Sequence, residues 1–420
     1  MNEKLLQYLW NFKIFKSFDF KDVDGNDLEI VDFGRWNFDS GPDFLFGKIK
    51  SKGLTLVGNI ELHVKSSDWI FHKHSGNPEF DNIIAHVVFV HDVELDEFKN
   101  KNIPTLELKD YIDETLLSKY ESLLQETQFI PCEKIFNPKN LPFNFHEENL
   151  LKKLDEKSIE IEDFLKHYQN NYEAILFQQL AYAFGLKVNA LLFKQLAESI
   201  DYTIFNKIRQ NQTQLEALLF GVCNWLEKPT DEQTKIWTRE FEFLKVKYQL
   251  PEFYIHPKFS KLRPPNFPTI RLSQLASLYH QNQNLFSKLI NAKNIDEINH
   301  VFFKVKASEY WDNRFNFGKI STVTGEKILT KEFVELLLIN AVLPLKYTYH
   351  KNTDENIPDE ILTLYQNISP EKNTIIDQWK SLGVKPKNAL ETQSLLFHYR
   401  NFCQKKECLR CSIGIRLMNS

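Results

Sequence analysis

Asp43, in Gly41-Pro42-Asp43-Phe44, and Glu61, which opens Glu61-Leu62-His63-Val64-Lys65, are the residues of this chain best placed to do chemistry. They are equally far from Lys52, and Ser51-Lys52-Gly53 has the composition of a short hairpin loop. The two acids are therefore expected to meet across adjacent antiparallel strands. Side chains alternate along a strand, so Glu61, His63 and Lys65 share one face with Val57 and Asn59. Leu56, Gly58, Ile60, Leu62 and Val64 share the other, apolar face. Paired carboxylates suit a hard divalent cation such as Mg²⁺ or Mn²⁺, which takes one or two of them plus water. Lys65 or His63 would then orient an attacking water or steady developing charge. The catalytic set offered by the sequence is Asp43, Glu61, His63 and Lys65, with Asp43 and Glu61 as the metal ligands. The plainer alternative is a turn cap at Asp43 and a solvated strand face at Glu61, His63 and Lys65.

Five of the twelve histidines follow closely: His63, His72, His74, His86 and His91. Imidazole binds transition metals and exchanges protons near neutral pH. His63 with His72 or His74 could complete a Mn²⁺- or Zn²⁺-type site beside Glu61. His86 sits inside an apolar run and reads as a hydrogen-bonded core histidine, and His91 reads as structural. Asp68 reads as a turn cap, Trp36 and Trp69 as core or hinge aromatics. Arg35 and Asn37 stand where they could reach a phosphate or simply face solvent.

The second chemical cluster closes the chain. Cys403, Cys408 and Cys411 lie within nine residues, although the protein has five cysteines in all. A closed tetrahedral zinc site needs a fourth ligand. His398 is the local candidate and Cys132 the distant one. With Cys132 the site would hold four thiolates, which suits Zn²⁺ or an iron–sulfur cluster. The alternative is three reduced, partly buried thiols. Cys223 reads as core.

These residues need elements to hold them. Residues 3–15 read as an amphipathic helix, and 28–33, 44–49, 54–65 and 83–90 as strands, with an edge strand at 105–108. The run at 83–90 is apolar throughout, as in a strand buried on both faces. Helical patterns follow at 111–126, 149–154, 161–177, 177–184, 189–199 and 215–226. More come at 274–290, 295–302, 332–343, 355–365 and 389–402. The expected fold is α+β: a mixed β-sheet domain over 1–112 and a mainly helical domain over 113–420.

Composition limits the function. The net charge of −4 argues against a wholly basic nucleic-acid binder, so any such role needs a local patch. No run reaches the ~18 apolar residues of a membrane span, and no signal peptide opens the chain. Cytoplasm is the expected compartment, with no membrane partner. No phosphate-binding glycine loop and no G-x-S-x-G elbow are present.

Helix, strand, hairpin bearing Asp then Glu, then a further strand resembles the PD-(D/E)XK nuclease core. Pro42-Asp43 matches its Pro-Asp pair and Glu61 the acid of its E-x-K triplet, while Glu3 stands where a helical acid would. Position 63 departs from the pattern, being His where that family has Lys, and Lys65 lies two residues on. The likeness covers about the first 95 residues and implies a restriction-endonuclease-like sheet cutting nucleic acid with a metal ion. Some such nucleases carry an iron–sulfur staple with one remote and three clustered cysteines, similar in count to those here. Over nearly its full length the chain resembles an uncharacterised bacterial domain-of-unknown-function family. The phrases that carry this are Gly41-Pro42-Asp43-Phe44, Gly58-Asn59-Ile60-Glu61-Leu62-His63, Ser67-Asp68-Trp69 with His72 and His74, Ala85-His86-Val87-Val88, Glu216-Ala217-Leu218-Leu219-Phe220-Gly221 and the terminal cysteines. The expected function is a metal-dependent nuclease or phosphodiesterase. The alternative is a non-catalytic binding or scaffold protein that keeps a degenerate nuclease-like core.

Overall fold

The computed structural model describes the chain apart from residues 38–39, 114, 116–117, 119, 121–128, 169, 254, 354–357 and 419–420. It forms two compact units, Met1–Phe143 with His398–Ser420, and Asn144–Phe397. The C-terminal cysteines therefore belong to the sheet-bearing unit. The helix expected at 111–126 falls largely outside the described residues.

In the first unit, helix α1 (Glu3–Phe12) starts where Asn2 accepts the amide of Leu5 and stops at Lys13, which is left-handed. Its apolar face, Leu5, Leu6, Leu9 and Trp10, is fully buried, and Trp10 Nε1 donates to Phe33 O at 2.9 Å. The strands are β1 (Leu28–Asp32), β2 (Arg35–Trp36), β3 (Phe44–Ser51), β4 (Leu54–Lys65), β5 (Ile83–Val90) and β6 (Thr105–Glu107). Their order in the sheet is β1-β3-β4-β5-β6, with β2 paired to β3. β1, β2 and β4 run antiparallel to β3, while β4–β5 and β5–β6 are parallel. The sheet is thus mixed, and β5 is buried through most of its length, as its unbroken apolar run requires.

The β3–β4 turn is tight because Lys52 and Gly53 both take positive φ, 50° and 78°. That is the turn whose twist matches a hairpin. Gly58 lets β5 approach: a Cβ there would stand 2.5 Å from Ile84 Cγ2. The plainer alternative, a solvated face on β4, holds at Lys65 and not at the site, since Glu61 is 5% exposed and His63 fully buried. Leu62 and Ile60 behind them are fully buried too, so β4 is interior on both faces at the acidic site.

The second unit is helical around one apolar core that includes Leu150, Phe177, Leu218, Trp237, Leu275 and Leu338. Phe145–His167 is one helix where two shorter pieces are expected. The expected helix at 161–177 is interrupted: Asn170 is left-handed and Asn171 caps a new helix, Tyr172–Phe184, by accepting from Ala174. Likewise 274–290 divides into Pro268–Gln281 and Leu285–Asn291. Asparagine carries these breaks because its side chain competes for backbone hydrogen bonds. A short antiparallel pair, Arg314–Asn316 with Lys319–Ile320, has no counterpart in the sequence reading.

Candidate functional site

A bulge brings the two acids together. From the turn, β3 and β4 pair Ser51 with Leu54 and, further on, Gly47 with Gly58. Continued unbroken, that register would set Asp43 opposite Leu62. Between Gly47 and Phe44 it shifts by one residue, so that Phe44 pairs with Ile60 and Asp43 comes level with Glu61. Phe46 carries the shift. It sits at φ 60° with its ring exposed, and its amide donates to Asn59 Oδ1 at 3.3 Å.

The acids then hold each other's strands. The Asp43 amide donates to Glu61 Oε2 at 3.0 Å, and the Leu62 amide donates to Asp43 Oδ2 at 3.0 Å. Gln7, on α1, donates to Asp43 Oδ1 at 2.7 Å and lies 3.4 Å from Glu3 Oε1. Burial pushes the Glu61 carboxyl far above the ordinary range, and the charge of Asp43 pushes it further. Burial also lifts Asp43, with Glu3 adding to it, and Glu3 itself is raised by burial. Three acids crowded this way need a cation to stay ionised together, and a bound divalent ion would reverse the sign of each shift.

Histidines supply the rest of the cage. His63 Nε2 is 3.2 Å from His72 Nδ1 and 3.7 Å from Glu61 Oε1. His74 Nε2 is 3.4 Å from the same Glu61 oxygen and, though buried, has no hydrogen-bond partner among the described residues. His63, His72 and His74 each offer a ring nitrogen within 4.8 Å of the other two. Burial drives His63 to about 2 and His86 to about 3, so both imidazoles are neutral. His63 Nδ1 lies 2.9 Å from His86 Nε2. With His63 donating there, its Nε2 lone pair is left facing Glu61 and His72. Trp69 packs edge-on against the rings of His63, His74 and His86, and Phe80 stacks on His74 at 4.0 Å.

The donor set fits a transition metal. Four ligands at about 2.0–2.2 Å from a tetrahedral ion stand about 3.3–3.6 Å apart. The His63–His72, Glu61–His74 and Glu61–His63 separations of 3.2, 3.4 and 3.7 Å lie at or near that spacing. Imidazole-rich sets suit Zn²⁺ or Mn²⁺ more than Mg²⁺.

Of the residues singled out in the sequence, Asp43, Glu61, His63, His72 and His74 come together. Glu3 joins them from α1, close enough that the charge of His72 acts on it. Lys65 does not: it is exposed at the end of β4, and among the described residues its ammonium makes no ion pair. Asn37 is pinned to the backbone, donating to Ser40 O and Pro42 O, which shapes the turn before Asp43. Asp68 caps a turn by accepting the Lys65 amide at 2.9 Å. His86 is buried and hydrogen-bonded, and its partner is His63. Gln7 escaped the sequence reading, although its place one helical turn after Glu3 on the same face was visible. The bulge at Phe46 left no signal in the sequence.

Beside the acids lies a cavity of about 200 Å³ lined by Lys4, Gln7, Trp36, Lys406, Glu407 and Arg410 among others. Lys4 is paired with Glu407 across this cleft at 2.7 Å, and Lys406 and Arg410 are its further cations.

No curated protein and no solved structure matches the chain. A family model described as "Protein of unknown function (DUF2851)" matches residues 3–374, a span that contains the acidic hairpin and all five clustered histidines and stops short of the terminal cysteines. The chain belongs to the DUF2851 family.

Proposed function

We propose that the protein is a divalent-metal-dependent hydrolase of phosphodiester bonds, with nucleic acid as its substrate class. One observation carries the reading: the ring nitrogens of His63, His72 and His74 lie within 4.8 Å of one another, and Glu61 Oε1 stands 3.4 Å from His74 and 3.7 Å from His63. His63, His72, His74 and Glu61 would hold Zn²⁺ or Mn²⁺. When bound, the ion would polarise a phosphoryl oxygen and lower the pKa of a water. Asp43, held by Gln7 and the Leu62 amide, keeps a second carboxylate beside the ligand set, where it can accept a proton from the attacking water. His86 fixes the His63 ring from behind. Trp69 and Phe80 close the other side against water.

The choice of a phosphodiester rests on two features. The order of α1, the β3–β4 hairpin with its acids, and the parallel strand β5 resembles that of the PD-(D/E)XK core. The cleft beside Gln7 also carries Lys406 and Arg410, which suit a polyanion. The test is cleavage of single- and double-stranded DNA and RNA with added Mn²⁺, Zn²⁺ or Mg²⁺. Activity with Mn²⁺ or Zn²⁺ that disappears in Glu61→Gln and His74→Ala is expected. Activity that survives both substitutions would overturn the assignment.

A second reading has its own support. Both carboxylates accept backbone amides, as structural acids do, and His63 stands where the nuclease pattern has lysine. A protein that binds nucleic acid without cutting it would show metal-dependent retention of a labelled oligonucleotide and no cleavage.

A further inference from the structure

Among the buried groups that the acidic site does not use are the unbridged thiols of Cys132, Cys403, Cys408 and Cys411 and, in the second unit, the carboxyl of Glu216. His398 Nε2 lies 3.2 Å from Cys411 Sγ. A thiol is at ease in apolar surroundings, whereas a carboxylate without a cation is costly there. Glu216 is 2% exposed and stands in the helix Gln212–Val222, where every residue from Leu215 to Val222 is buried. Gly221 seats that helix closely, for a Cβ there would stand 2.2 Å from Phe241 Cδ2. Such packing holds the acid inside the unit.

Its surroundings are polar and short of positive charge. Ser273 Oγ donates to Glu216 Oε1, and among the described residues no cation pairs with the acid. Ser308 N donates to Ser273 Oγ at 2.9 Å, which sets residue 308 beside this bond. Ser308 Oγ is buried and makes no hydrogen bond among the described residues. Glu216 and Ser308 both line a cavity of about 360 Å³, whose exposed rim includes Gln281 and Glu309.

Charge and size select the occupant. The lining carries two acids, Glu216 and Glu309, and the ammonium of Lys306, which is already paired with Glu326. Other parts of the wall are neutral hydrogen-bonding groups, among them the amides of Gln212 and Gln233 and the hydroxyl of Thr213. The space is many times that of one water, so it exceeds a bare ion. A hard divalent cation also favours a denser set of charged oxygens than one buried carboxylate. A cation with an organic body satisfies both conditions.

We propose that this cavity binds a small organic ammonium ion, with Glu216 as its counter-ion, Ser308 Oγ as an acceptor beside it and the glutamine amides around its body. The site lies wholly in the second unit and does not rest on the hydrolase proposed above. It gives the Glu216–Gly221 phrase a binding role, with the glycine seating the helix and the acid holding the ligand.

The test is calorimetric titration of the full chain at about pH 8, above the value of about 7 to which burial lifts the Glu216 carboxyl. The probes are methylamine, putrescine and spermidine hydrochlorides, with glucose and sodium chloride at matched ionic strength as controls. At least one amine should bind at one site per chain with a Kd of about 1 mM or below, and the controls should not. Glu216→Gln keeps the shape, removes the charge and should weaken binding by about tenfold or more. Lys306→Gln removes a positive charge from the lining and should tighten it by about twofold or more. No saturable binding of any of the three amines, binding of glucose in their place, or unchanged affinity in Glu216→Gln would each overturn the proposal. If Glu216→Gln does not fold, Lys306→Gln decides, because equal or weaker amine binding in that variant also refutes it.

Discussion

Glu61 Oε1 lies 3.4 Å from the Nε2 of His74, a buried nitrogen with no hydrogen-bond partner among the described residues. An orphaned imidazole lone pair facing a buried carboxylate is costly in the absence of a cation. Calorimetric titration with Zn²⁺ or Mn²⁺ should therefore find one site per chain in this unit, apart from the cysteines. His74→Ala or Glu61→Gln should weaken it by about a hundredfold or more. Unchanged affinity in both variants would remove the site.

His86 is not a proposed ligand but fixes the proposed ligand His63 through a 2.9 Å contact. Groups that orient a ligating histidine typically contribute 10- to 100-fold in metal affinity. His86→Phe keeps the apolar packing against Trp69 and Phe98. A fall of about 10- to 100-fold in Zn²⁺ affinity, with the melting temperature of the metal-free chain little changed, is the expected result.

Phe46 isolates the role of the bulge. Its left-handed backbone costs a non-glycine residue on the order of 1 kcal/mol, and its ring is 72% exposed. Phe46→Gly should raise stability by about 1 kcal/mol. Deletion of residue 46 should instead remove the bulge while leaving Phe44 opposite Ile60 and Asp43 level with Glu61, so metal binding should persist. Thermal melts and metal titration of the two variants test both halves.

The second unit buries an acid, Glu216, that makes no ion pair among the described residues. Glu216 accepts from Ser273, and burial lifts it to about 7 from 4.5. The Ser273 hydroxyl offsets part of that cost, and the ionisable groups lining the adjacent cavity are Lys306, Glu309 and Tyr310. A folded-state pKa above the unfolded one means the folded chain binds the extra proton. Stability is then greatest below pH 4.5 and falls by about 3 kcal/mol as pH rises through 7. Melts of Glu216→Gln between pH 4.5 and 8 should lack this component. An identical pH dependence in parent and variant would refute it.

Much of the site could be read before the fold was known, because strand parity is a local rule. Alternation placed Glu61 and His63 on one face of β4, and the turn residues Lys52 and Gly53 located the hairpin. The apolar run of β5 announced a buried strand. Other features lay beyond that rule. Lys65 obeys the parity of Glu61 yet ends in solvent, because the face is covered only as far as His63. The breaks at Asn170 and Asn282–Asn284 fall where apolar periodicity runs on, and local hydrogen bonding stops the helix.

The sequence by itself determined which residues carry the chemistry: two acids equidistant from a turn, a run of histidines, and cysteines too clustered to be incidental. It did so because residue type and two-residue alternation are properties of the chain. Tertiary structure decided which of them meet. One bulged residue at Phe46 moved Asp43 from Leu62 to Glu61. Loop closure after β4 brought His72 and His74 back over His63, and the return of the C-terminal segment set Tyr399 against Phe129, more than two hundred residues away in sequence. These are long-range placements, set by packing across the whole unit, and no local window contains them.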